Sequence, residues 1–242
     1  MRYGIFSDIH SNLEALEAVL EAYQTERIDK YLCIGDVVGY GADPQTCIDK
    51  VNSVAMITVA GNHDWAVVDL FPTDDFNPVA KKAVFWTKKH LEENGKVFLQ
   101  SLELIYVIEN FVLVHGSLDN PQNFNYLTNV YDCDATFQLL KSSVCFVGHT
   151  HVPVVFIQDK QGKSHYQDVD TIEIETENKY IINVGSVGQP RDSIPQAAYC
   201  VFDTQTRQVQ IKRVKYDVFK ARRKIIEAGL PSFLADRLLT GN

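Results

Sequence analysis

The chain has 242 residues, with 23 Lys and Arg against 31 Asp and Glu, a formal net charge of −8. That length can bury a full core without disulfide or metal staples. Hydrophobic residues at 45% and charged residues at 22% are ordinary globular composition, which excludes disorder, collagen and coiled coil. No apolar run approaches the ~20 residues of a membrane span. The apolar stretch before Asp8 is too short to read as a signal peptide. Cys33, Cys47, Cys133, Cys145 and Cys200 are odd in number, far apart and free of any CxxC spacing, so neither a disulfide framework nor a thiolate zinc site is expected. Cys33 and Cys145 lie inside apolar runs and read as buried thiols. Together these features point to the cytoplasm. The acidic balance disfavours a long grip on nucleic acid. It leaves room for a small anionic ligand, because local charge in a cleft can oppose the global sign.

In chain order, Arg2 to Ser7 is an apolar run ending at Asp8. Ser11-Asn12-Leu13-Glu14 has capping-box spacing, and Leu13, Leu16, Val19, Leu20 and Tyr23 recur at helical period. Lys30 to Ile34 predicts a second strand, Pro44 opens a helix to about Val51, and Val54 to Val59 predicts a third strand. This alternation predicts a largely parallel central sheet with crossover helices. Asn77-Pro78 opens a helix expected to reach about Glu93, with its lysines on a solvated face. Leu104 to Ile108, Phe111 to Val114 and Val144 to Val147 follow as strands. Val152 to Ile157, Thr171 to Ile174, Lys179 to Val184, Ala198 to Phe202 and Val209 to Val214 fit antiparallel strands. Two helices close the chain, one from Asp217 to Gly229 and one from Pro231 to Gly241. With no repeat and no linker, the expectation is one domain over 1–242, with loop and helix insertions at about 65–103 and 117–143.

Residues of metal-ligand type stand directly after five of these strands. They are Asp8 with His10, Asp36, Asn62 with His63 and Asp64, His115, and His149 with His151. In an open α/β sheet the crevice lies outside the carboxyl ends of the strands, so residues from several strands can converge there. One such histidine would most often be a satisfied or surface residue; five strand ends all bearing ligand types are not explained that way. Imidazole, carboxylate and amide donors without thiolate suit zinc, manganese, iron or nickel. Four histidines and two carboxylates exceed one tetrahedral site, so two ions are expected. Two ions ~3.5–4 Å apart suit an in-line displacement at phosphorus.

The segments Asp8-Ile9-His10, Gly35-Asp36-Val37-Val38-Gly39-Tyr40-Gly41, Gly61-Asn62-His63-Asp64, His115-Gly116 and Gly148-His149-Thr150-His151 resemble, in order and spacing, the five motifs of the calcineurin-like metallophosphoesterases. Gly185-Ser186-Val187-Gly188-Gln189-Pro190-Arg191-Asp192 resembles a further motif of the small prokaryotic branch, as does the closing helix pair. The resemblance implies a four-layer α/β/β/α sandwich. It implies one divalent ion, manganese first, on Asp8, His10, Asp36 and His151, and another on Asp36, Asn62, His115 and His149, with Asp36 bridging. A hydroxide between them would attack phosphorus. His63 would protonate the leaving oxygen or stabilise its charge, and Asp64 would orient His63. Asn62 and Arg191 would touch substrate. Where many relatives carry Pro-Arg-Asp after His-Gly-Ser, Ser117 is followed here by Leu118-Asp119-Asn120, and Asn183-Val184-Gly185-Ser186 replaces Asn-Pro-Gly-Ser.

The expected function is therefore hydrolysis of a small phosphoester. With Arg191 counted as the main cation besides the metals, a phosphodiester is favoured over a monoester or a dinucleotide polyphosphate. Retention of every ligand position weighs against a non-catalytic interaction scaffold, and scattered lysines weigh against a nuclease on long nucleic acid. Monomer and homodimer stay open. Phe71, Phe76, Phe124, Tyr126 and Tyr131, in the segments 65–78 and 117–134, either pack those loops or stack on a base or aryl group. Gly162-Lys163-Ser164 reads as a hairpin turn and not a P-loop, and His90 and His165 read as surface residues.

Overall fold

Alternation along the strands decides the layering. In the computed structural model, which describes residues 1–242, the first strand β1 (Arg2–Phe6) turns Tyr3 and Ile5 to one side and Phe6 to the other. Its sheet has six strands in the order β3-β2-β1-β11-β12-β9, formed by β2 (Lys30–Cys33), β3 (Ala55–Thr58), β9 (Thr171–Glu173), β11 (Ala197–Asp203) and β12 (Gln208–Val214). A second six-stranded sheet has the order β4-β5-β6-β10-β7-β8, from β4 (Ile105–Ile108), β5 (Phe111–Val114), β6 (Val144–Val147), β7 (Val154–Gln158), β8 (Ser164–Gln167) and β10 (Lys179–Asn183). Tyr3, Ile5 and Leu32 meet Leu113, Phe146 and Ile182 between the sheets. The outer face of the first sheet takes Leu16 and Val19 of α1 (Leu13–Tyr23) and Ile48 and Val51 of α2 (Pro44–Val54). The outer face of the second takes Phe137 of α6 (Asp134–Leu139) on Val112 and Cys145. The result is the four-layer α/β/β/α order.

Each sheet is mixed, not largely parallel. β1, β2 and β3 run parallel, and so do β5, β6 and β10, while β4, β7, β8, β9, β11 and β12 are joined antiparallel. Short connections make hairpins of β4–β5, β7–β8 and β11–β12, since a parallel return needs a longer crossover. The carboxyl ends of the two parallel triplets nevertheless open on one crevice.

Several local expectations need correction. Asn12, not Ser11, caps α1, its side chain accepting from Ala15 N at 3.2 Å. Glu14 is turned to Lys224 and Lys220 instead, at 2.6 and 3.1 Å. The helix expected to run to Glu93 ends at His90 as α4 (Pro78–His90), because Leu91 is extended and buried, and α5 (Glu93–Gln100) starts anew. The loop expected from Trp65 begins later, since α3 occupies Asn62–Val67. At the C-terminus, α7 (Val218–Glu227) is followed by the short α8 (Ser232–Asp236) and a 3-10 turn, Arg237–Leu239. Ile225, Leu230, Leu234 and Leu238 of this pair pack on Tyr40, Ala80 and Ala83, beside the crevice.

Candidate active site

Asp8 and His10 leave β1, Asp36 leaves β2, Asn62 and His63 open α3 after β3, His115 leaves β5, and His149 and His151 leave β6. Tight turns at these strand ends put Asp8, His10, Asp36, His149 and His151 in the left-handed region, with φ of 55°, 49°, 51°, 67° and 63°. Such conformations cost of order 1–3 kcal/mol each and persist where surrounding contacts over-determine them. Those contacts are present. Asp8 N and His10 N donate to Gly35 O and Asp36 O at 3.0 and 2.9 Å, and Ser186 Oγ and Gly188 N hold Asp8 O at 2.8 and 2.9 Å. Asn183 donates to Gly148 O at 2.6 Å, fixing the turn before His149. Gly61 has no substitute, since a Cβ there would strike the Asp36 carboxylate.

The turns aim their side chains at one buried place. His151 Nε2 lies 3.2 Å from Asp8 Oδ1 and 3.1 Å from His10 Nε2. Asp36 Oδ2 lies between His10 Nε2 at 3.6 Å and His115 Nε2 at 3.3 Å. The ligand atoms of Asp8, His10 and His151, of His10, Asp36 and His63, and of Asp36, His115 and His149 each gather within 4.8 Å. Asp36 thus belongs to a group on either side.

The second nitrogens of the rings explain the chemistry of the cluster. His10 Nδ1 faces Val38 O at 3.1 Å, His115 Nδ1 faces Ile34 O at 2.6 Å, and His151 Nδ1 faces Gln189 O at 2.6 Å. A carbonyl only accepts, so each Nδ1 carries a proton, and in the neutral ring each Nε2 presents a lone pair inward. Two such lone pairs, on His10 and His151, point at each other. Asp8 Oδ1, Asn62 Oδ1, His115 Nε2 and His149 Nε2 are buried without a hydrogen-bond partner. Buried acceptors left unpaired are costly, and a cation among them would satisfy all of them. The charges agree. Burial lowers His115, yet Asp36 and Asp8 outweigh it and raise it to about 9, which marks its side of the cluster as a place that favours positive charge. Burial pushes His149 down to about 3, leaving it neutral, the ligating form. Imidazole, carboxylate and amide oxygen without thiolate fit divalent transition ions.

His63 stands apart in role. Its ring packs between Tyr40, His10 and Phe76, with centroids at 4.4, 4.9 and 5.0 Å, and its Nδ1 is unpartnered. Burial pushes it down to about 3, so it too is neutral. Gly39, at φ +96°, makes room for it, since a Cβ there would come within 2.5 Å of Nδ1. Asp64 does not reach His63, contrary to expectation. Its carboxylate accepts from Gly61 N and Val38 N, both at 3.1 Å, and so pins the Asp36 loop to the Asn62 turn.

Beyond the cluster, Arg191 donates to Gln189 Oε1 at 3.0 Å and faces the Tyr40 hydroxyl at 3.5 Å, while Asp192 turns away to pair with Arg213. Tyr126 stacks on His149 at 3.8 Å and borders a groove of about 670 Å³ lined by Leu127, Val152, Val154 and Phe156. Phe71 and Trp65 pack on Phe124, pinning the loops, and Tyr131 stays exposed. Ser117 turns to Thr136 at 2.9 Å, away from the cluster. His90 stacks on Trp86, His165 is exposed, and Gly162 closes a hairpin turn. Sequence reasoning missed Tyr40, Gln189 and Arg237. Arg237 gives no local signal; only its chain-distant contact with Gln189 places it here.

Residues 1–207 match the model of the calcineurin-like phosphoesterase superfamily domain. The chain belongs to that superfamily. It is 38% identical to a metallophosphoesterase of Sphaerobacter thermophilus whose crystal structure superposes with a TM-score of 0.89, covering 100% of this chain and 99% of that one. It is 40% identical to the uncharacterised protein MJ0912 of Methanocaldococcus jannaschii, over 98% of this chain and 97% of the relative. The phosphodiesterase YfcE of Escherichia coli K12 is 25% identical over 86% of this chain and 91% of its own. As a superfamily member the protein is a phosphoric ester hydrolase of a metal-dependent family. None of its helices is long and apolar enough to cross a membrane.

Proposed function

We propose that this protein hydrolyses a small phosphoester, a phosphodiester before a monoester, with two divalent metal ions, manganese first and iron, nickel or zinc by the same donors. The observation that carries the reading is the set of buried, unpartnered acceptors on Asp8, Asn62, His115 and His149, around the facing Nε2 atoms of His10 and His151. Asp8, His10 and His151 would hold one ion, and Asn62, His115 and His149 the other, with Asp36 shared. When bound, such ions acidify a water and neutralise phosphoryl oxygens. The chain's own residues supply the rest. The Val38, Ile34 and Gln189 carbonyls take the Nδ1 protons and so aim three Nε2 atoms at the ions. His63, neutral and unencumbered at Nδ1, serves the leaving oxygen by donating a hydrogen bond that stabilises the charge developing as the P–O bond breaks. Tyr126 and its groove receive an apolar part of the substrate.

The diester preference rests on the named relative, YfcE. Arg191 is not the lone cation beside the metal donors, because Arg237 stands next to it on Gln189. Buried cysteines, all free, support a reducing cytoplasm. Metal analysis of Asp36→Asn tests the centre. Loss of both ions and of most activity is expected, and two full equivalents with normal turnover would overturn it. A panel of aryl phosphomonoesters and phosphodiesters, assayed with each metal, tests the substrate class.

A further inference from the structure

The His63 side of the cluster continues into a place of concentrated positive charge. Tyr40 packs on both His10 and His63, and Arg191 lies beyond it, Cζ 5.7 Å from the ring centre. Arg237 stands beside Arg191. Both guanidinium groups donate to one atom, Gln189 Oε1, at 3.0 and 2.8 Å. Arg237 also donates from Nε to the terminal Asn242 oxygen at 2.6 Å, and its Cζ lies 5.3 Å from the Phe233 ring centre. Arg2, Arg213, Arg222 and Arg223 have Asp or Glu partners; Arg27, Arg191, Arg207 and Arg237 do not, and of these four only Arg191 and Arg237 are part-buried. Arg191 Nε is buried and has no partner at all. Burial, then the charge of Arg191, pushes Arg237 down to about 10, so the pair sits together at a cost. A chain of net charge −8 has acidic side chains to spare, yet no Asp or Glu pairs with either arginine.

Gln189 fixes where this charge lies. Its side chain ties the two arginines together, and its backbone carbonyl takes His151 Nδ1 at 2.6 Å. The pair is therefore held in register with the metal donors by a single residue. Arg237 belongs to the turn Arg237–Leu239, outside residues 1–207 that match the superfamily model. The C-terminal helices bring it in, packing on Tyr40.

We propose that Arg191 and Arg237, joined by Gln189, form a subsite for a second phosphoryl group of the substrate, adjoining the one that is hydrolysed. Guanidinium forks match the geometry of non-bridging phosphoryl oxygens and bind them through charge-assisted hydrogen bonds. Tyr40, packed on both His10 and His63, lies against Arg191, which places the second group on the His63 side, taken above as the leaving side. The substrate class is then a phosphoester whose departing part begins with, or carries close by, another phosphate. This rests on the phosphoesterase reading above.

The test uses manganese-loaded protein and two non-hydrolysable probes, methylphosphonate and methylenediphosphonate, by calorimetry at fixed excess manganese. Chelation in solution is common to all variants and cancels between them. Wild-type protein should bind the diphosphonate at least tenfold more tightly. Arg237→Gln should lower diphosphonate affinity about tenfold more than methylphosphonate affinity, within the range expected for a lost charge-assisted bond. Arg237→Lys, which keeps the charge but not the fork, should fall between. Equal losses for both probes, or none, would overturn the subsite. A lowered melting temperature without probe selectivity would overturn it too, reducing Arg237 to a tie for the C-terminal helices. Turnover of bis(p-nitrophenyl) phosphate by the wild type is followed in parallel. Its absence, together with no turnover of p-nitrophenyl phosphate, would refute the phosphoesterase reading while leaving the binding comparison intact.

Discussion

Asp64 offers a sharp test of what a motif residue does. By sequence it should orient His63, so Asp64→Asn should behave like loss of the proton donor. The geometry says otherwise. Oδ1 and Oδ2 accept from Val38 N and Gly61 N, each at 3.1 Å, and the side chain is fully buried. An asparagine can keep one of these bonds through its amide oxygen. Its NH2 must then face a backbone N–H, donor against donor. The bond lost was to a charged group, worth about 1.5–3 kcal/mol, and an orphaned buried N–H costs ~1–3 kcal/mol more. Part of this is recovered, because burial and the Asp36 charge push the Asp64 carboxyl up to about 7, so the ionised form is itself under strain. A net loss of about 3 kcal/mol is a reasonable middle value. At ~2–4 °C per kcal/mol for a domain of this size, the melting temperature should fall by roughly 6–12 °C. The Asp36 loop and the Asn62 turn would loosen together, so metal affinity should fall as well. Residual turnover at saturating metal should drop by the same factor for nitrophenol and for alkyl leaving groups. Calorimetric melting with a leaving-group series decides it. A stable, fully metallated Asp64→Asn that is slow only on poor leaving groups would refute the argument and restore the orienting role.

Three further outcomes are expected. His63→Asn should keep two metals yet slow turnover by roughly 10²–10⁴-fold, with a smaller loss on nitrophenyl esters; an equal loss across leaving groups would exclude a role at the leaving oxygen. Gly39→Ala should reproduce that pattern, because its Cβ would come within 2.5 Å of His63 Nδ1 at a φ of +96°; it should also destabilise by ~1–3 kcal/mol, read from denaturant melts. Glu14→Gln should lower stability at pH 7 by no more than ~1 kcal/mol, as its lysine partners are part-exposed. Burial pushes the Glu14 carboxyl up, but Lys224 and Lys220 outweigh it and hold it below the usual 4.5. The stabilisation is therefore present above that pH and lost as pH falls below it, so the variant and wild type should converge in acid.

The strands and the ligand residues were legible because both are local signals. Apolar runs ending in Asp8, Asp36, His115 and His149 mark strand ends, and tight turns follow them. The short pieces were not legible. Six residues in α3 and six in α6 are too few to show a helical period. β8 is largely exposed and carries no apolar alternation, so only its pairing with β7 makes it a strand. The break at Leu91 was hidden because the apolar pattern runs through it. Leu91 leaves the helix to bury its side chain, and Glu92 N then bonds Gln45, 47 residues earlier.

The sequence by itself determined which chemistry the site holds: imidazole, carboxylate and amide donors after five strands, each beside a residue small enough for the turn. It did not determine who meets whom. His10 and His151 are 141 residues apart, and their facing lone pairs exist only because two sheets stack with their parallel triplets opening on one crevice. The same stacking gives Asp64 to the backbone of Val38 instead of to His63, and sets Tyr126 on His149. It also carries Arg237 from the C-terminal helices to Gln189. Ligand type is a property of single residues and their turns, read along the chain. Charge placement around the ligands is a property of packing between distant segments, and no local periodicity encodes it.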